Sequence, residues 1–348
     1  MEQIIYRINR FSKHKSNLTA YLALGAGILF LSFSPLLVRH AAAPGVVFSF
    51  YRMIVTMVIL TPLQIIVSRK KVSQEKIPFD RRMLIFPLAA GFCSAFDLSL
   101  WGNAVLKTTI SSATLLNAIS PIWVSFIAVL FLKEKITGKF WIGLVLVMIG
   151  ITAISGVFSS TQTSGSMSGN LLAFFSSFFY AGYYTFTELG RRHFSTLNQM
   201  WYSLLFSMLT LGVVMVLSDY PFTGYSRQTV AAIIVSSLVC QLGGYFCLTY
   251  ALGKLPATVV SPANQIQPIL SSLMAVLIFA EPFRGYQMIG AVGILLGLYL
   301  INQSKVARVE NELKGEIQPG DRKSEPVSQL PQDPGENVVD RKISRNSD

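Results

Sequence analysis

The sequence predicts an all-α integral membrane protein, with ten transmembrane helices in two inverted five-helix repeats. Three observations carry this expectation. Of 348 residues, 52% are apolar and 13% are charged, against about 25% charged in an ordinary soluble domain. The apolar residues lie in runs close to the ~20 residues a helix needs to cross the hydrocarbon. One long segment also recurs, at an offset of 147 residues.

The apolar stretches are 18–38, 46–68, 84–105, 109–132, 140–157, 169–188, 199–217, 230–251, 257–279 and 286–302. Backbone groups in lipid must be satisfied within the segment, so runs of this length read as helices. The alternation of a membrane barrel is absent. Residues 1–17 are basic and broken by polar groups, and are expected to remain as a cytoplasmic segment rather than a cleaved signal. Ile4, Ile5, Ile8 and Phe11 share a face opposite Arg7 and Arg10, which fits a short interfacial helix or a frayed tail. Residues 158–168 read as an external Gly/Ser/Thr-rich linker. Residues 304–348 have no aromatic residue and much charge, Pro, Ser and Gln. They are expected to be a disordered cytoplasmic tail whose first turns can continue the last helix.

The net charge is +12. With the N-terminus inside, twenty-four Lys and Arg fall on the cytoplasmic side and four outside. That bias places both termini in the cytoplasm, and the expected location is the cytoplasmic membrane. The basic balance is thus a topology signal, and no nucleic-acid partner is expected.

Segment 104–150 aligns with 251–297, with sixteen identical pairs among forty-seven. Lys107/Lys254, Asn117/Asn264, Pro121/Pro268, Glu134/Glu281, Gly143/Gly290 and Gly150/Gly297 are among them. Chance apolar matching does not pair Asn, Pro, Glu and Gly at one offset. Five helices per unit is odd, so the second copy enters from the opposite side. The repeats are expected over 18–157 and 169–303. One chain supplies both halves, so a monomer suffices and a homodimer is also compatible.

The two segments, AVLKTTISSATLLNAISPIWVSFIAVLFLKEKITGKFWIGLVLVMIG and ALGKLPATVVSPANQIQPILSSLMAVLIFAEPFRGYQMIGAVGILLG, resemble the EamA-type members of the drug/metabolite transporter superfamily. The resemblance covers roughly 18–303, and FSFYR, ending at Arg52, is similar to the start of the family's second helix. The family pattern LGE appears here as LKE and AEP, so only the acid is kept in both copies. The resemblance implies a transporter of small organic metabolites. It favours efflux of an amino acid or related compound, without specifying the solute.

Candidate pathway residues follow from chemistry in lipid. Asp97 and Arg52 are the only deep charges in the expected spans, and intramembrane charges are functional candidates by default. Their depths match, so they can form a structural ion pair. Alternatively, Asp97 binds a cationic group or coupling proton, with Arg52 tuning it. Pro121 and Pro268 are expected to kink the fourth and ninth helices near their middles. Asn117 and Asn264 each precede a proline by one turn and share its face, and Gln267 adds an amide beside the second. These amides bind solute or tie helices together. Tyr180 and Tyr184 carry hydroxyls on an aromatic sixth helix, where packing and a solute path both fit. Trp101 reads as an anchor or gate wall. Glu134 and Glu281 end two helices, where an acid can steady the dipole of the helix that follows.

Enzyme classes fare poorly. His14, His40 and His193 lie in tails or loops, and HExxH, phosphate-loop and metal-spaced Cys patterns are absent. No cofactor or metal is expected. The expected partners are a small-molecule substrate, the bilayer and a coupling proton or ion. Several basic residues would be needed for a nucleotide-sugar or phosphate-ester exchanger, and the spans offer one. A non-transporting sensor or scaffold would have to signal through a tail with no recognisable domain.

Overall fold

A computed structural model of the chain describes residues 18–41, 43–71, 81–108, 113, 116–133, 136–154, 166–279 and 285–317. Every regular element among them is helical. The expected N-terminal interfacial helix, the acids Glu134 and Glu281, most of the linker and the tail beyond 317 lie outside the described residues.

Helix α1 (18–31) gives way at a turn, 32–33, to α2 (Ser34–Ala41). Then come α3 (Gly45–Lys71), a 3₁₀ turn at Arg81–Leu84, and α4 (Ile85–Lys107). Helices α5 (Ser120–Leu130), α6 (Gly138–Ile154), α7 (Met167–Arg191) and α8 (Thr196–Leu217) follow. Next, α9 (Arg227–Ser236) runs through a π-helical stretch, Ser237–Tyr245, into α10 (Phe246–Leu252). Helix α11 (Ala257–Ala263) passes through a 3₁₀ turn, Asn264–Ile266, into α12 (Gln267–Phe279), and α13 (Gly285–Ile317) ends the described chain. Residues through Val306 form one compact unit. The second unit begins at Ala307, and its described part, 307–317, is helix. Helix α13 therefore runs past the expected end at 302, through good helix formers such as Glu310, Glu312 and Lys314.

Five helical segments are by themselves long and apolar enough to cross a bilayer: Leu18–Val38, Gly45–Val67, Arg81–Ala104, Thr196–Leu217 and Arg227–Leu252. Shorter apolar helices lie at Ser120–Leu130, Gly138–Ala153 and Met288–Ile301. Their outward faces are apolar and exposed, as at Val58, Ile66, Ile149, Leu209, Val213 and Leu296. Exposed apolar surface on this scale belongs in lipid rather than water. Helix α7 is long, 25 residues, but less apolar, because it sits inside the bundle. Its Ser176, Ser177, Tyr180, Tyr183, Tyr184, Thr185 and Thr187 are all buried.

Three prolines stand at helix starts, whereas Pro62 and Pro262 lie inside α3 and α11. Pro121 is the second residue of α5, after a turn at 118–119, and Pro268 is the second residue of α12. Pro35 holds the same place in α2. The kinks expected at Pro121 and Pro268 thus take the form of breaks, with each proline opening the second part of its apolar segment. Lacking an N–H and crowding the preceding turn, each proline is better accommodated at a helix start. The α1 carbonyl left unbonded four residues before Pro35 is recovered by a side chain: Gln267 Nε2 donates to Leu31 O at 3.2 Å. Ser271 Oγ likewise donates to Ser32 O at 2.8 Å.

Helices α6 and α13 touch backbone to backbone. A Cβ added at Gly143 would lie 2.6 Å from Gly297 O, and one at Gly297 would lie 2.5 Å from Gly143 O. Gly150 has the same relation to Gly290 O, at 2.6 Å. Small residues permit this approach, and dispersion between close backbones then helps hold the pair in lipid.

Candidate functional site

Three residues one turn apart on α7, Ser176, Tyr180 and Tyr184, line one face of that helix. The hydroxyls of the first two gather the two repeat asparagines. Asn117 Nδ2 donates to Ser176 Oγ at 2.8 Å and to Asp97 Oδ1 at 3.0 Å. Asn264 Nδ2 donates to Tyr180 Oη at 3.3 Å and to Gln267 Oε1 at 3.2 Å. Tyr184 also donates to Tyr180, at 3.0 Å. Six of the sequence-derived residues thus join in two adjoining networks, with Asp97 at one end and Gln267 at the other. Pro121 and Pro268 begin the helices that follow the two asparagines. Trp101 lies half-buried one turn beyond Asp97 on α4 and joins neither network.

Asp97 is buried on α4 and Arg52 is buried on α3. They are not in salt-bridge contact: among the described residues the ion pair is Glu188–Arg192. Of the two alternatives read from the sequence, the direct ion pair is therefore not made. The Arg52 guanidinium instead lies 5.9 Å from the centroid of the Tyr245 ring. Among the described residues its Nε and Nη2 have no hydrogen-bond partner. A buried cation without a counter-ion costs on the order of several kcal/mol, only part of which a cation–π contact offsets. Asp97 Oδ1 accepts a hydrogen bond from Asn117.

A narrow polar crevice with space for roughly one water lies among α4, α7, α8 and the π-helical stretch. Ser94, Tyr183, Ser207, Gln241, Tyr245 and Thr249 are among its lining residues. Ser94 precedes Asp97 by three residues on the same face of α4, and Tyr245 is the ring beside Arg52. Ser207 Oγ and Gln241 Oε1 are buried without a partner among the described residues. The π-helical stretch contributes both Gln241 and Tyr245, which fits the frequent use of such wide turns at functional positions.

Two features escaped the sequence reading. One is this crevice, whose Ser, Thr and Gln are unremarkable in apolar helices until packing brings them together. The other is Glu188, which lies at the very end of an expected span. Glu188 Oε2 accepts from the Ala257 backbone N–H at 2.8 Å, and Oε1 accepts from Arg192 at 2.9 Å. Beside it, Arg191 Nε donates to Thr249 O at 3.1 Å, and its Nη1 donates to Phe194 O. The end of α7 is thereby tied to α10 and to the start of α11. Glu188→Ala should leave the Ala257 N–H unsatisfied, at a cost of about 1–3 kcal/mol. A melting temperature lowered by several degrees in detergent is expected, and an unchanged one would show that the tie is idle.

The profile of the EamA-like transporter family matches this chain over residues 18–156 and 167–303. A Clostridium kluyveri protein described as an uncharacterized transporter is 23% identical over 262 residues, covering 74% of this chain and 82% of its own. An Archaeoglobus fulgidus protein of the same description is 24% identical over 245 residues, covering 68% and 82%. A solved crystal structure superposes with a TM-score of 0.65 at 13% identity, over 85% of this chain and 98% of its own. That last likeness concerns the fold.

Proposed function

Because the chain belongs to the EamA-like transporter family, we propose that it is a secondary transporter that exports a small organic metabolite by alternating access across the cytoplasmic membrane. It is a multi-pass membrane protein, and its family points to transport rather than catalysis. The observation that carries the site is the network Asp97–Asn117–Ser176, placed on three elements inside apolar helices. A carboxylate there is costly unless it is used. In this reading Asp97 receives a cationic group of the solute or a coupling proton. Asn117, Asn264 and Gln267 orient polar atoms of the solute, and the tyrosines of α7 border its path. An amino acid or related compound fits this set. A phosphate ester does not, because Arg52 is the one deep basic residue.

The reading includes ten spans in two inverted repeats, 18–157 and 169–303, with both termini cytoplasmic. The glycine contacts support it. Gly143 and Gly290 are equivalent by the 147-residue offset, as are Gly150 and Gly297. Gly143 meets Gly297 while Gly290 meets Gly150. Such reciprocal contacts are what a two-fold axis between repeats produces. Opening of one side and then the other would come from rocking of the repeats about the central site.

The test is flux. Proteoliposomes holding the full chain are loaded with a metabolite mixture, and the lumen is assayed over time with and without a proton gradient. Loss of one solute class, faster than from empty liposomes, is the expected result. Equal leak of every solute under both conditions would overturn the transporter reading.

A further inference from the structure

We propose that the polar crevice is a binding site for one dehydrated sodium ion, and that sodium is the coupling ion of transport. This rests on the transporter reading above and names the ion that drives it. Three observations carry it. The crevice is walled largely by oxygen: Ser94 on α4, Ser203 and Ser207 on α8, Gln241 in the π-helical stretch and Thr249 on α10 all line it. Two of these oxygens, Ser207 Oγ and Gln241 Oε1, have no hydrogen-bond partner among the described residues, and the two residues are 1% and 5% exposed. Ser94, Ser207 and Gln241 each lie within two residues of the middle of their helical spans, Arg81–Ala104, Thr196–Leu217 and Arg227–Leu252. The packing around them is specific. A Cβ added at Gly91, one turn before Ser94, would lie 2.4 Å from Ser203 O and 3.0 Å from Ser207 N. That close approach of α4 to α8 sets the two serines of α8 against Ser94.

The chemistry of the wall selects the ion. Hard cations take oxygen ligands, and hydroxyl and amide oxygens can turn lone pairs to a cation. A divalent cation would call for carboxylates, and among the described residues no acid lines the crevice. Nor does any group of three His, Cys, Asp or Glu among them gather to hold a metal ion. The balancing negative charge is Asp97, one turn beyond Ser94 on the same face of α4. One carboxylate matches one positive charge. Arg52 opposes a cation, but its guanidinium lies against the Tyr245 ring, which offsets part of its charge. Serine hydroxyls and a glutamine amide do not titrate near neutral pH, so this wall holds an ion and not a proton. Size then chooses among the monovalent ions. The space suits roughly one water. Bare sodium is smaller than a water molecule and bare potassium about as large, so the same oxygens close more tightly on sodium. The midplane depth and the irregular π-helical turn that carries Gln241 match where transporters hold their coupling ions.

The experiment is a melting-temperature titration of the full chain in detergent with sodium chloride or potassium chloride, each balanced by choline chloride to constant ionic strength at fixed pH. A ligand that binds the folded state raises the melting temperature by mass action. Sodium is expected to stabilise the protein saturably, with potassium at least tenfold weaker. In Ser207→Ala and in Gln241→Leu the half-saturating sodium concentration should rise at least tenfold. Solute flux from proteoliposomes should depend on a sodium gradient. No response when sodium replaces choline would overturn the proposal and leave a bound water in the crevice. A response to sodium no stronger than to potassium would overturn it too, as would an unchanged response in both variants or flux indifferent to sodium. Flux driven by a proton gradient would then still uphold the transporter reading, so the two failures are distinguishable. Should Gln241→Leu fail to fold, Ser207→Ala, which removes a single hydroxyl, and the comparison of cations on the unaltered chain decide.

Discussion

Asp97→Asn is expected to abolish solute-driven and gradient-driven flux, by tenfold or more, while the protein still inserts and purifies as a single species. Asn has nearly the shape of Asp, and its side-chain oxygen can still accept the 3.0 Å hydrogen bond from Asn117 Nδ2. The network that ties α4 to α7 through Ser176 is thereby kept. What is lost is the negative charge, and with it any ammonium or proton held there. Flux measured at several pH values separates the roles. Loss at every pH fits a binding role. Loss of the pH dependence alone, with exchange retained, fits a proton-coupling role. Retained flux with an unchanged pH profile would remove Asp97 from the pathway.

Gly150→Leu is expected to be the most damaging structural change. The new Cβ would lie 2.6 Å from Gly290 O and 2.8 Å from Ile294 N, both backbone atoms that cannot swing aside. The helices α6 and α13 would have to separate, with loss of packing along the whole contact. Overpacking of a tight site costs typically 1–3 kcal/mol and more where backbones must move. A melting temperature lowered by at least several degrees, or loss of the monodisperse species in size-exclusion chromatography, should follow. Gly138→Ala is the control, because a Cβ there meets nothing within 4 Å. Its stability should stay within about 0.5 kcal/mol of the parent. Equal stability of Gly150→Leu and Gly138→Ala would show that the close contact contributes nothing.

Much of this molecule was legible without coordinates, for simple reasons. Lipid demands long apolar helices, so composition and run length declare a multi-pass helical membrane protein. A duplicated segment shows itself by its offset, because Asn, Pro and Gly are not drawn by chance to the same positions. Asp97 and Arg52 stand out because charge is rare where hydrocarbon surrounds the helix. The asparagines stand out because amides in lipid need partners, and both do find them along one face of α7.

The rest was decided by tertiary structure. Whether two deep charges pair depends on side-chain reach across helices, which depth along each helix does not specify. Arg52 lies against Tyr245 and Asp97 is held by Asn117, although both charges lie at similar expected depths. Whether a proline kinks or ends a helix depends on what can satisfy the freed carbonyl. Here Gln267, from a helix 236 positions away, supplies the bond at Leu31. The crevice is made of ordinary Ser, Thr and Gln that become a site only when four helices converge. Glu188 gains its role from a backbone N–H 69 residues downstream. Local sequence carries the affinity for lipid and the tendency to form helix, which are properties of each segment alone. The partners of a buried polar group are properties of the assembled bundle, and they were set by the packing of these helices against one another.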